Sequence, residues 1–263
     1  MGIYSHSKLS TFEQCPLKYK YRYIDKKKPD IEKTIEAHLG KAVHDTLELI
    51  YNEVKKEKVL TIEEIIEVYT ENWQRNYSGN FLIVKDNLTT KDYFNLGVEF
   101  LVSYYNQNFP FKDGTIECEK KVWIVLDKER GHKIQGYIDR LVYNSETGEY
   151  EIHDYKTANN LPTQEKVDTD RQLALYAIAI RELFGEDKEI KLIWHYLAHN
   201  TKVESKRTKE QLEQLKKETL ELIEKIESAK IFPYNKSILC NWCEFRPSCE
   251  AWKNEKQKSL NIS

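Results

Sequence analysis

The sequence predicts a mixed α/β fold: a central sheet flanked by helices, with a helical lobe at the N-terminal side. Two changes of texture carry this. Over roughly the first 110 residues, apolar side chains recur at spacings of three and four, the period of amphipathic helices. From residue 115 to 156 the chain turns to β-branched and aromatic runs broken by turn residues, the signature of strands. The composition agrees: 263 residues, 40% hydrophobic and 32% charged, bury a sizeable core without disulfide staples and exclude wholesale disorder.

Residues 5–25 read as a short helical or extended element in which Tyr19, Tyr21 and Tyr23 alternate with Lys18, Lys20 and Arg22. A helix over 34–58 follows from Ile35, Leu39, Val43, Leu47, Ile50 and Val54. Thr61 with Glu64 is a capping box opening a helix through Trp73. A third helix, from about Lys91 to Asn108, carries Phe94, Val98, Leu101 and Tyr105 on one face. Strands are expected at 115–126, 133–143 and 150–156, with turns at Arg130–Gly131 and Glu146–Thr147–Gly148. Their short connections imply an antiparallel meander. A helix from about Asp168 to Phe184, a strand at 189–198, and a charged helix from Thr208 (boxed with Gln211) to about Ala229 complete the core. No repeat or low-complexity segment appears. The expected organisation is a single domain, 1–263: an N-terminal segment and helical lobe (1–110), a core (111–205), and a C-terminal helix with a cysteine cluster (206–263).

Lys and Arg total 41 against 43 Asp and Glu, a net charge of −2. That excludes a globally basic nucleic-acid coat but leaves room for a local basic track. No apolar run reaches the ~18–20 residues of a membrane span. The opening MGIYSHSKLSTFEQCP lacks a basic-then-apolar leader, so a cytoplasmic protein with no membrane partner is expected. Five cysteines are present, and in that compartment a disulfide framework is disfavoured. Cys240, Cys243 and Cys249 crowd the C-terminal end, Cys15 lies near the start, and Cys118 stands alone on a predicted strand as an expected core thiol. Four thiolates suit zinc or an iron–sulfur cluster.

The strand at 150–156 ends in Asp154-Tyr155-Lys156, and residues two apart on a strand share a face. An in-register hairpin brings Asp139 beside Asp154. Paired carboxylates repel unless a proton or divalent cation lies between them, and Mg²⁺ or Mn²⁺ takes such oxygen ligands. With Lys156 to stabilise developing phosphate charge, these parts suffice for metal-assisted phosphodiester hydrolysis. His44 lies beside the apolar stripe of the first long helix. Gln172 and Tyr176 share a helix face at i and i+4.

In order and combination, these residues resemble the RecB-like branch of the PD-(D/E)XK nuclease superfamily, which includes RecB and AddB nuclease domains and CRISPR-associated RecB-like exonucleases. The resemblance runs from Ser7–Pro16 through Gly40–His44, Gly136–Arg140, His153–Thr157 and Gln172 with Tyr176 to Cys240, Cys243 and Cys249. It implies the restriction-endonuclease-like core, with Asp139 and Asp154 as Mg²⁺/Mn²⁺ ligands, Lys156 as catalytic lysine and His44 assisting at the metal. Gln172 and Tyr176 would contact DNA or support the site. Cys15, Cys240, Cys243 and Cys249 would hold a 4Fe–4S cluster, with Zn²⁺ the lesser occupant, clasping the two ends of the chain. The superfamily's proline is absent: Ile138 precedes Asp139. Glu119 matches an upstream acidic position only at loose spacing.

The function implied is a metal-dependent DNA exonuclease acting in recombination, repair, phage replication or CRISPR adaptation on single-stranded DNA or duplex ends. The alternative is a non-catalytic DNA-binding or helicase-partner subunit of the same fold. No helicase phosphate loop is present, so a helicase or CRISPR adaptation partner would supply unwinding. The Lys18–Lys28 stretch reads equally as a solvated basic face or as a backbone track with stacking tyrosines.

Overall fold

The computed structural model describes residues 2–253; Met1 and 254–263, the two ends of the expected span, lie outside the described residues. The N-terminal segment begins with strand β1 (Ile3–Tyr4) and helix α1 (His6–Gln14). Ser5 caps α1 by accepting from the Lys8 N–H. A short α2 (Pro16–Tyr19) follows and runs into a π-helical turn, Lys20–Ile24.

Helices α3 (Ile35–Val54), α4 (Ile62–Arg75) and α5 (Thr90–Asn108) form the lobe. The Thr61–Glu64 capping box is present, and Thr89 with Asp92 makes a second at α5. Ile35, Leu39, Val43 and Leu47 pack with Ile65, Tyr69, Trp73, Phe100 and Leu101 in one apolar cluster. This is the expected pattern, with the 3.6-residue stripe facing inward.

The sheet contains β2 (Thr115–Asp127), β3 (His132–Asn144), β4 (Glu149–Lys156), β5 (Ile190–Tyr196) and β6 (Thr201–Lys206), with β1 added. Strands β2, β3 and β4 form the expected antiparallel meander. Strand β5 runs parallel to β4, and β6 is antiparallel to β5. The β4-to-β5 crossover holds α6 (Gln164–Asp168) and α7 (Arg171–Phe184). The helix expected from about Asp168 to Phe184 is α7, which starts at Arg171 because the Asp170 side chain accepts from the Gln172 and Leu173 N–H groups and caps it there; the short α6 precedes it. The strand expected to Ala198 stops at Tyr196. A 3₁₀ turn and left-handed Asn200 (φ 49°) then reverse the chain into β6.

Helix α7 packs on the sheet in a second apolar cluster with Ile124, Ile134, Ile138, Leu141 and Ile152. Gly136 makes room for this: a Cβ there would lie 2.1 Å from Tyr176 Cε1. Helix α8 (Lys209–Ser228), boxed by Thr208 and Gln211, adds Leu212, Ile223 and Ile226 to the same cluster. Among the described residues, no helix is long and apolar enough to cross a membrane.

Candidate active site

The pairing of β3 with β4 runs through Arg140 opposite His153, so the next step along the ladder sets Asp139 opposite Asp154. Asp154 is buried, at 4% exposure. Its two oxygens are divided: Gln172 Nε2 donates to Oδ1 at 3.1 Å, and Lys156 Nζ lies 2.6 Å from Oδ2. That second contact is a close ion pair, and it is the partner that Oδ2 has in its buried position. Lys156 Nζ in turn donates to Gln172 Oε1 at 3.0 Å. Gln172, delivered by the first turn of α7, thus fixes both Asp154 and Lys156. Tyr176 is buried one turn further on, against Gly136. Its hydroxyl is pushed up to about 12 by burial and the nearby carboxylates, against Gln172, which pulls it down.

Asp139 Oδ2 accepts from the Tyr155 backbone N–H at 2.9 Å. Burial, then the charge of Asp154, pushes Asp139 up to about 7, against the pull of the Tyr155 N–H and Lys156. His44, on α3, places Nε2 2.8 Å from the Tyr155 carbonyl oxygen. A carbonyl only accepts, so in the neutral ring Nε2 carries the proton and Nδ1 keeps its lone pair. That Nδ1 sits 3.4 Å from Asp139 Oδ2. Two electron-rich atoms face one another across a gap that suits a cation.

Glu119 closes the group. Donor atoms of His44, Glu119 and Asp139 all lie within 4.8 Å of one another. Burial and the charges of Asp139 and Glu48 push Glu119 up to about 7 as well. Its backbone is left-handed (φ 48°), although the β2–β3 pairing keeps one register on either side of it. Asp154 stands beside this trio, held by Gln172 and Lys156. Burial pulls Lys156 down, but Asp154 and Asp139 outweigh it, and the net shift is upward. The lysine is thus held as an ammonium.

Tyr155 faces away from this group and is anchored from behind. Arg140, buried at 1% exposure, donates from Nε to the Tyr155 hydroxyl at 2.8 Å and from Nη2 to His153 Nδ1 at 2.8 Å. Its guanidinium also lies over the Tyr51 ring at 3.9 Å and pairs with Asp113. Because the Tyr155 backbone contacts both Asp139 and His44, this network steadies both.

Cys15, Cys240, Cys243 and Cys249 line one pocket between the N-terminal helices and the C-terminal segment. Among the described residues, no three of their sulfurs come within 4.8 Å of one another as His44, Glu119 and Asp139 do. Protein contacts also join the two ends. Glu244 pairs with Lys18 at 3.1 Å and with Arg22, and its carbonyl accepts from the Asp30 and Ile31 N–H groups, each at 3.0 Å. The basic Lys18–Lys28 stretch therefore spends much of its charge internally, with Lys20 paired to Asp25 as well. Tyr19 is buried and Tyr21 packs edge-on against Phe245. Cys118 is half-buried against the lobe cluster, its thiol pushed up to about 11 by burial.

The sequence model of a family described as the PD-(D/E)XK nuclease superfamily matches residues 3–250. Among solved structures, one described as "Crystal structure of SSO0001" is similar at 16% identity, covering 81% of this chain and 84% of that one with a TM-score of 0.39. A search of curated proteins gives no match.

Proposed function

The chain belongs to the PD-(D/E)XK nuclease superfamily, and from that premise we propose that it is an Mg²⁺- or Mn²⁺-dependent deoxyribonuclease that trims DNA from its ends. One observation carries the reading: side chains from three separate elements, His44, Glu119 and Asp139, converge within 4.8 Å beside a buried Asp154–Lys156 pair. The donor set is one imidazole and carboxylates, which suits hard divalent cations. His44 Nδ1, Glu119 and Asp139 would hold one, and Asp154 would join them through Oδ2, which here is paired with Lys156. A bound cation supplies Lewis acidity, neutralising phosphate charge and lowering the pKa of water.

The chain's own groups do the rest. Tyr155 orients Asp139 through its N–H and His44 through its carbonyl. Gln172 fixes the Asp154 carboxylate and the Lys156 ammonium, and that ammonium supplies positive charge where a phosphate oxygen becomes more anionic. A quiet DNA-binding subunit would have no need of such a shared cradle of carboxylate, amide and ammonium.

We assign a 4Fe–4S cluster to Cys15, Cys240, Cys243 and Cys249, with a structural role. Their shared pocket supports this.

Calorimetric titration with Mn²⁺ tests the metal site. Wild type should bind it, and both Asp139→Asn and Glu119→Gln should lose binding at least ~10-fold, the scale of lost metal ligation. Unchanged binding in both variants would refute the assignment. Anaerobically purified protein should be brown, absorb near ~400 nm, and lose iron in Cys243→Ser; colourless protein containing zinc would overturn the cluster.

A further inference from the structure

We infer that the outward face of the β2–β3 ribbon is a stacking platform for unpaired bases of single-stranded DNA, built from Trp123 and Tyr137 with Lys121 between them. It rests on the nuclease reading for its purpose but not for its geometry. The inner face of this ribbon is ordinary core: Val122, Ile124, Ile134 and Ile138 are buried against α7. The outer face leaves two large rings in water, Trp123 at 41% and Tyr137 at 49% exposure. Lys121 lies directly across from Tyr137, and Trp123 across from Gln135. The Lys121 ammonium sits 4.9 Å from the Trp123 ring centroid and 6.0 Å from that of Tyr137.

Among the described residues, Lys121 has no carboxylate partner. Its charge is uncompensated beside two open π-faces, and exposed Lys133 follows farther along β3. Open aromatic faces with unpaired cations match a polyanion carrying flat bases. The position fits as well. Lys121 is two residues along β2 from Glu119, and Tyr137 two along β3 from Asp139, about 7 Å at ~3.3 Å per residue. The platform therefore abuts the candidate metal group. In a duplex each base already stacks on its neighbours, so these rings serve only an unpaired strand.

Fluorescence anisotropy with labelled oligo(dT), in EDTA so that nothing is cleaved, tests this. Each base–ring stack is worth ~1–3 kcal/mol, so Trp123→Ala/Tyr137→Ala should weaken binding at least ~10-fold. Trp123→Phe/Tyr137→Phe should stay within about threefold, because both rings keep a stacking face. Lys121→Ala should reduce the salt slope by about 0.7, one phosphate contact on a single strand. Affinity for a blunt duplex should not move. Both rings are exposed, so thermal melts should match wild type and exclude misfolding. Oligo(dT) affinity within about twofold of wild type in the alanine variant, or an equal loss for duplex, overturns the platform. Hydrolysis of a thymidine p-nitrophenyl phosphate ester with Mn²⁺, scored separately, reports on the nuclease reading. Failure of that ester assay beside a selective loss of oligo(dT) binding would discard the nuclease and keep the platform.

Discussion

Replacing Asp139 with asparagine should make the metal-free protein more stable at about pH 8 while weakening its response to metal. In the fold, burial and the adjacent Asp154 raise Asp139 from 3.8 to about 7. Ionising it is therefore harder in the folded than in the unfolded chain. The sign follows: its favourable contribution is full below about pH 4 and is lost as pH rises through about 7. At ~1.36 kcal/mol per unit, three units set a ceiling of about 4 kcal/mol at pH 8. Asparagine can still accept from the Tyr155 N–H but forfeits attraction to Lys156, so a net gain of about 1–2 kcal/mol is expected, or roughly 3–6 °C for a chain of this size. Glu119, raised partly by the same charge, is relieved in the same direction. The assay is a thermal melt in EDTA at about pH 5 and pH 8, repeated with Mn²⁺. Wild type should gain about 2.7 kcal/mol from Mn²⁺ at ~100 times its Kd, and the variant, binding at least ~10-fold more weakly, no more than about 1.4 kcal/mol. At about pH 5, where Asp139 is protonated in the fold but already ionised in the unfolded chain, the difference should shrink to well under half of its pH 8 value, and it should vanish only below about pH 4. An Asn variant that melts below wild type at pH 8, or that gains as much as wild type from Mn²⁺, refutes the reasoning.

Gln172→Leu removes the amide that holds Asp154 and Lys156 and leaves a buried carboxylate oxygen without its donor. A hydrogen bond to a charged group is worth ~1.5–3 kcal/mol, so DNA cleavage should slow about 10- to 100-fold with KM within about threefold, measured by steady-state kinetics. Gly136→Ala drives a methyl to 2.1 Å from the Tyr176 ring. Overpacking of that kind costs ~1–3 kcal/mol, and thermal melts should show part of it recovered in Gly136→Ala/Tyr176→Ala, since the pair share one space.

Much of this was legible because local chemistry and tertiary packing agree. The Thr61–Glu64 and Thr208–Gln211 boxes start helices where side chain and backbone satisfy each other. The 3.6-residue stripe of α3 is the face that is buried. The meander follows from short turns, and its register brings Asp139 across from Asp154. What escaped the sequence lacked such agreement. Strand β6 (TKVESK) is a polar edge strand with Ser205 its one buried residue, so no hydrophobic signal marks it. Glu119 matched only at loose spacing, and its meeting with His44 and Asp139 depends on the approach of α3 and β3 to β2, long-range contacts that no local pattern specifies. The role of Gln172 needed the approach of α7 to β4, a long-range contact that i, i+4 spacing alone does not specify. The Lys–Tyr alternation over 18–28 read as a nucleic-acid track in part because its partner, Glu244, lies more than two hundred residues away.

The central claim is that Asp154 and Lys156 belong to a metal-dependent hydrolytic site. End-labelled single-stranded and duplex DNA, incubated with Mg²⁺, Mn²⁺ or EDTA, tests it beside Asp154→Ala and Lys156→Ala. Wild type should shorten the label only with metal, and each variant should fall at least ~10²–10³-fold while still folding, the usual loss when one electrostatic partner of a transition state is removed. Full metal-dependent cleavage by Asp154→Ala would contradict the account.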